Sequence, residues 1–298
     1  MRVFRPAAVV AFALAGGLTL AGCSATAQPD APTESGAVVD VNSDFASAVP
    51  ESIRNAGVIR VATDPTYPPF ENIVAGEVVG FDADMAQAIG DVLDLEIEFV
   101  QVSFDGIIPS LQANSADMAL SSMGDNKERE EAVDFATYYW NGTLLLVPEG
   151  NPLGGAPDLA CNMNVGVTRG SLQQTQFLPA QAQPCEDMGE KAPVEAAYQN
   201  SNQAVLALQS GRIDGVLIDA PVVALAASES AGAMEAAGPI MRNPNPGGVA
   251  FPKGSELVEP VNGAINVLIE SGVYAELLEK WGLGDIAIEE SVINGAIE

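Results

Sequence analysis

Leu111-Gln112 precede Asp117, Leu120 and Ser122 at the spacing by which Leu208-Gln209 precede Asp214, Leu217 and Asp219, an offset of 97 residues. In both places a Leu-Gln pair closes a helical stretch, a turn follows, and an apolar run ends on a polar residue. A chain that carries such a unit twice is constrained towards two similar bodies, each burying the apolar faces of its own copy. One short match can also arise by chance, so the rest of the chain must show the same alternation.

Val58–Thr63 (VIRVAT) is apolar and β-branched and stops at Asp64 and the proline-rich PTYPPF, which predicts a buried strand and a shaped loop. Asp82 is expected to cap a helix with Met85, Ile89, Val92 and Leu93 on one face. Leu95–Val102 alternates as a half-buried strand does. Ile107–Ala113 predicts a short helix, Ala116–Ser122 a strand, and Asn126–Val133 another helix start. Strand and helix in alternation specify an α/β fold.

Leu144–Pro148 would carry the chain into a second lobe, and PNPGGVAFP, ending at Pro252, would carry it back. Leu257–Ile269 and Tyr274–Trp281 have helical apolar spacing, stop at Gly272 and Gly282, and are expected to pack on the first lobe. The expected divisions are a leader over 1–22, a tether over 23–49, a first lobe over 50–143, a second over 144–245, and a return to the first over 246–298.

Arg2 and Arg5, the apolar Ala7–Leu20 and the small residues after it have the parts of a secretory signal. The apolar run falls short of the roughly 20 residues a transmembrane helix needs. Leu20-Ala21-Gly22-Cys23 resembles the bacterial lipobox, whose cysteine becomes a lipidated N-terminus. An ordinary signal with a chance cysteine is the competing reading. The Ala, Pro, Thr, Ser and Asp that follow, without a period, read as a tether, with folding starting near Pro50. If Cys23 is lipidated, Cys161 and Cys185 remain as an even pair in an exported chain and are expected to form a disulfide, the alternative being two buried thiols.

A formal charge of −28 argues against nucleic acid as a partner. There is no histidine, which removes Ser-His-Asp and Cys-His chemistry and histidine-ligated zinc. G-x-S-x-G, P-loop and EF-hand patterns are absent as well. Neither a metal nor a cofactor is expected.

In open α/β sheets ligands bind beyond the carboxyl ends of the strands. Those ends carry Asp64, Ser121 with Ser122, Thr168 to Ser171, and Asp219. From about Ile59 to Leu283 the chain resembles family 3 of the bacterial extracellular solute-binding proteins, the amino-acid-capturing components of ABC importers. The resemblance is carried by VATDPTYPPFE, VGFDADMAQAI, FDGIIPSLQANSADMALSSMGDNKEREEAVDFA, VGVTRGS, LQSGRIDGVLIDAP and ELLEKWG, in that order.

It implies a two-lobed, periplasmic-binding-protein-like (type II) α/β fold, with a ligand cleft between lobes joined by two crossover segments. It implies that Arg129 grips the ligand α-carboxylate, a task suited to a planar guanidinium fork. Ser121, Ser122 and Gly124 would set hydroxyl and backbone donors around the ligand's charged groups. Thr168 belongs to the same cleft, and Ser171 would open a helix whose amides favour an anion. Asp219 would receive the α-ammonium, Tyr67 and Phe104 would wall the side chain, and Asp64 would accept from a side-chain nitrogen. This chain has Gly124 where relatives often have serine, Asn126 where they often have threonine, and Leu172 where they are often polar. The competing structural roles are an exposed helical Arg129, core aromatics, and an Asp219 that caps the helix after Pro221.

The resemblance thus implies a monomeric lipoprotein on the outer membrane face that closes on a polar amino acid and delivers it to an ABC permease without reaction. Asp64 favours a nitrogen-bearing side chain: arginine, lysine, glutamine or histidine. An Arg169 turned into the cleft would neutralise Asp64 and admit glutamate or aspartate. The rivals are a cyclohexadienyl dehydratase-like enzyme on the same fold and a ligand-sensing module of a membrane receptor.

Overall fold

The computed structural model describes residues 40–297. The expected leader, the lipidation site Cys23 and the first part of the tether lie outside the described residues. Folding begins earlier than Pro50: Ser43–Ala48 is helical, with the Asn42 side chain accepting from the Asp44 and Phe45 amides, so the end of the expected tether belongs to the folded body. The anchor is Phe45, whose ring occupies the notch above Gly263, where a Cβ would stand 2.2 Å from Phe45 Cε1. A six-residue helix with one aromatic on it gives too little periodicity to read.

Two five-stranded sheets form the framework. The first runs in spatial order Glu96–Gln101, Val58–Thr63, Met118–Ala119, Gly247–Pro252, Val133–Tyr139. Its first three strands are parallel, and Gly247–Pro252 pairs antiparallel with both of its neighbours. The second runs Val194–Tyr198, Asn164–Thr168, Gly215–Asp219, Gly142–Pro148, Met234–Arg242, again with three parallel strands followed by antiparallel ones. The chain leaves the first sheet after Tyr139, enters the second at Gly142, and returns between Arg242 and Gly247. These are the two crossovers of a two-lobed molecule. Leu144–Pro148 is itself a strand inside the second sheet rather than a connection.

The apolar pattern explains the packing. Ile59, Val61, Met85, Ile89 and Val92 have no exposed surface and share one core with Val261, Ile265 and Leu268 of the helix Val258–Ser271, so the C-terminal helices cover the first lobe. Burying side chains of this kind contributes about 1.5 to 3 kcal/mol each. Gly272 and Gly282 end their helices with φ of 87° and 68°, a conformation that favours glycine. Asp82 does not cap its helix. The helix Phe81–Leu93 starts after Gly80, and Asp82 in its first turn points into the core, accepting from the Ser122 amide and the Tyr138 hydroxyl, each at 2.7 Å. The expected pair Cys161–Cys185 is a disulfide, with a Cα–Cα distance of 5.6 Å.

Candidate ligand-binding cleft

An open-sided cavity of about 560 Å³ lies between the lobes, beyond the carboxyl ends of Val58–Thr63 and Gly215–Asp219. Asp64, Tyr67, Phe104, Ser122, Gly124, Arg129, Thr168, Ser171 and Asp219 all line it. Ser121 does not. The strand ends at Ala119, and Ser121 in the bend beyond it points behind the wall, where its hydroxyl donates to Glu71 Oε1 at 2.7 Å and accepts from the Asp64 amide at 3.0 Å, while Ser122, with a φ of 46°, turns into the cavity.

Arg129 reaches the cavity from the short helix Lys127–Glu130, whose start is fixed by Asn126 accepting the Arg129 amide at 2.7 Å. Its side chain is buried rather than an exposed helical arginine. One guanidinium nitrogen donates to the Gly124 carbonyl and the other, across the cleft, to the Gly170 carbonyl at 2.8 Å. The guanidinium carbon lies 5.8 Å from the Phe104 ring centre, a cation-π distance. No carboxylate pairs with it directly, and burial pulls its pKa down to about 10. A buried cation held by carbonyls alone is a strong site for a carboxylate.

Asp219 stands opposite. Although it is the residue before the helix Ala220–Glu229, its side chain makes no capping bond. The carboxylate turns into the cavity instead, where Gln173 Nε2 donates to Oδ1 at 2.8 Å and the Ser122 hydroxyl lies 3.3 Å from Oδ2. The Asp219 amide donates to the Tyr67 hydroxyl at 3.2 Å. Burial pushes the Asp219 carboxyl up to about 6, with hydrogen bonds from Tyr67, Gln173 and Ser122 and the charge of Arg129 holding it from rising further.

Asp64 accepts from Thr66 Oγ1 at 2.7 Å and from the Phe104 amide at 3.0 Å, one bond to each oxygen, so lone pairs remain for a donor in the cavity. Burial raises its pKa while those two bonds lower it. Beneath the cavity floor, Glu71 and Asp82 are both buried, and burial raises both, Asp82 to about 6 and Glu71 well above the usual carboxylate range. The charge of Asp82 adds to the rise of Glu71, which disfavours its ionised form.

Ser171 stands just before a π-helical turn, Gln173–Phe177, and its hydroxyl accepts from the Gln174 amide at 3.2 Å. Thr168 Oγ1 is buried and meets no partner among the described residues. Arg169 lies outside the cavity lining: its Nη1 donates to Gln199 at 3.1 Å in an exposed contact, and the Gln199 amide donates to Asp105 of the other lobe at 3.1 Å. Sequence reasoning missed Thr66, Glu71, Gln173 and Tyr139. Thr66 and Glu71 lie within the PTYPPFE motif and were open to notice, whereas nothing local marks Gln173 or Tyr139.

Residues 59–284 match the bacterial extracellular solute-binding proteins, family 3. The arginine-binding protein ArgT of Corynebacterium glutamicum is 31% identical over 278 residues, which cover 93% of this chain and 91% of that one. Among solved structures, an ancestral arginine-binding protein bound to arginine shares 32% identity at a TM-score of 0.69, covering 76% of this chain and 98% of its own. The substrate-binding protein AbpA of Streptococcus pneumoniae, bound to L-arginine, shares 27% identity at a TM-score of 0.66, covering 80% of this chain and 100% of its own. The chain belongs to family 3 of the bacterial extracellular solute-binding proteins, with their type II two-lobed fold, and is a binding protein rather than an enzyme.

Proposed function

As a member of that family the chain, we propose, captures a cationic amino acid, arginine first, and hands it to an ABC permease. The observation that supports this is the charge balance of the cavity. Asp64 and Asp219 face Arg129 as the single basic side chain in the lining, and burial beside Asp82 disfavours the charged form of Glu71. An amino acid brings a carboxylate for Arg129 and an ammonium for Asp219, which leaves Asp64 over. A guanidinium, ammonium or imidazolium on the ligand side chain completes the balance through charge-assisted hydrogen bonds. Arg169, engaged with Gln199 outside the lining, supplies no counter-charge that would admit glutamate. Tyr67 and Phe104 give the aliphatic part of such a ligand its apolar walls.

The likeness to arginine-binding proteins points the same way. In this reading Arg129, Ser122, Gly124, Thr168 and Ser171 surround the ligand carboxylate, Asp219 takes the ammonium, and Ser121 acts from behind by fixing Asp64. The lobes comprise 50–143 with 246–298, and 144–245, with the helix Ser43–Ala48 added to the first; the chain works as a monomer, held to the membrane by lipid on Cys23.

Isothermal titration with arginine, lysine, histidine, glutamine and glutamate tests the ligand. Arginine is expected to bind tightest and glutamate not at all, and displacement of a bound probe by glutamate alone would overturn the reading. Cys23→Ser is expected to release the protein from washed membranes with its ligand affinity intact, and its retention there would remove the anchor.

A further inference from the structure

Hydrogen bonds join the lobes at the cleft, such as Arg129 to the Gly170 carbonyl and the Asp219 amide to Tyr67. Another contact is made by packing. Gly124 of the first lobe has no side chain, and a Cβ built there would stand 2.6 Å from Leu172 Cδ1 of the second lobe and 3.9 Å from Arg129 Nη1. A contact of 2.6 Å is too short for a real Cβ, so a side chain at 124 would have to displace the Leu172 methyl from where it stands. Gly124 is not among the residues with positive φ, so its own backbone does not call for glycine. Leu172 is buried at 7% exposure although it belongs to a turn on the cleft edge. Both residues line the cavity beside the Arg129 guanidinium.

We propose that Leu172 seated on Gly124 is an apolar interlock formed only when the lobes close, and that it seals the Arg129 end of the cleft in place of side-chain hydrogen bonds there. The two positions are on different lobes, so the contact exists only in the closed arrangement and adds to the preference of the bound protein for it. Covering the guanidinium with a methyl also excludes water from the ion pair that Arg129 makes with a ligand carboxylate, which strengthens that pair. The proposal rests on closure of the cleft and not on which side chain is recognised.

The test is a double-mutant cycle on Gly124→Ala and Leu172→Ala, read by titration with L-arginine. Should L-arginine leave the melting temperature of the native chain unmoved, whichever standard amino acid moves it serves as the probe, so failure of the arginine reading is seen separately. Gly124→Ala adds a methyl where Leu172 stands and is expected to weaken binding about 5- to 150-fold, the range for overpacking a filled contact. Leu172→Ala unseals the site and is expected to cost about 30-fold, at the low end of the usual loss of about 2 to 5 kcal/mol for a truncated buried leucine. The double variant is expected to bind no more weakly than Gly124→Ala alone, because the two methyls then share the vacated space. Small-angle scattering at saturating ligand is expected to show a larger radius of gyration for Gly124→Ala than for the native chain. Effects that multiply in the double variant, or a Gly124→Ala chain that binds and closes as the native one does, would overturn the interlock. Melting temperatures without ligand, expected to match across the set, separate these results from a general loss of folding.

Discussion

Asp117 in the first lobe and Asp214 in the second do the same work: each aspartate's carboxylate accepts a backbone amide of the neighbouring strand, from Arg60 and from Asn164, at 2.8 Å, and its own backbone amide donates back to that residue's carbonyl at 2.8 Å. Ser122 and Asp219 occupy equivalent places in the same repeat and do different work. They face one another across the cleft at 3.3 Å, a hydroxyl against a carboxylate, 97 residues apart. Behind Ser122 lies a buried network of Asp82, Tyr138, Glu71 and Ser121. Asp219 has only Gln173, Tyr67 and Ser122 around its end of the strand. The repeat therefore preserved what holds each sheet together and diverged at the strand ends, giving one lobe a cation on a braced platform and the other an anion at a movable edge.

The largest effect that would break this division is expected from the braced side. Arg129→Ala leaves a buried ligand carboxylate unpaired at about 2 to 5 kcal/mol, a loss of about 30-fold to several thousand-fold in affinity. A calorimetric loss below fivefold in a folded variant would show that the first lobe does not hold the carboxylate. The next effect tests the second lobe by pH. Asp219 titrates near 6 without ligand, and an ammonium partner requires it ionised, so binding releases a proton below that pH. Affinity is expected to fall about tenfold between pH 7 and pH 5, and Asp219→Asn to flatten that slope. A native profile flat over this range would remove Asp219 from the clamp. The same raised carboxyls make the unliganded fold gain stability as pH falls from about 6 towards 4, since the folded state then binds more protons than the unfolded one.

The smallest effect on binding concerns the disulfide, which lies wholly in the second lobe. Reducing Cys161–Cys185 reopens a loop of 24 residues and is expected to lower stability by about 3 kcal/mol in the chain-entropy model. Affinity at 25 °C is expected to stay within twofold, because neither cysteine lines the cavity. A larger loss measured by titration would mean that the second lobe's edge is tensioned by the bridge rather than independent of it.

Local signals were legible where the cause is local. The β-branched run Val58–Thr63 is a strand over those same residues, Asn126 caps the helix it precedes, and Gly272 and Gly282 end theirs. Asp82 was misread because a carboxylate near a helix start fits a cap, while its true partners, the Ser122 amide and Tyr138, are 40 and 56 residues away. Ser121 and Ser122 look equivalent in the chain, and the bend after Met118–Ala119, with Ser122 at a φ of 46°, sends one behind the wall and the other into the cavity. Gln173 and Leu172 gained their roles from residues of the opposite lobe or a distant strand, and no spacing reports that.

One strand gives the order in which such a chain is completed. Gly247–Pro252 sits inside the first sheet, between Met118–Ala119 and Val133–Tyr139, although it follows the whole of the second sheet in sequence. Residues 142–242 contain every strand of the second sheet and both disulfide cysteines, so that lobe is made from one continuous piece of chain. The first lobe must wait for a segment more than a hundred residues beyond its earlier strands, and contacts of such long sequence separation form slowly. A chain emerging N-terminus first thus leaves its own beginning unfinished while its middle folds, and the Arg129 side of the cleft is the last part of the molecule to be built.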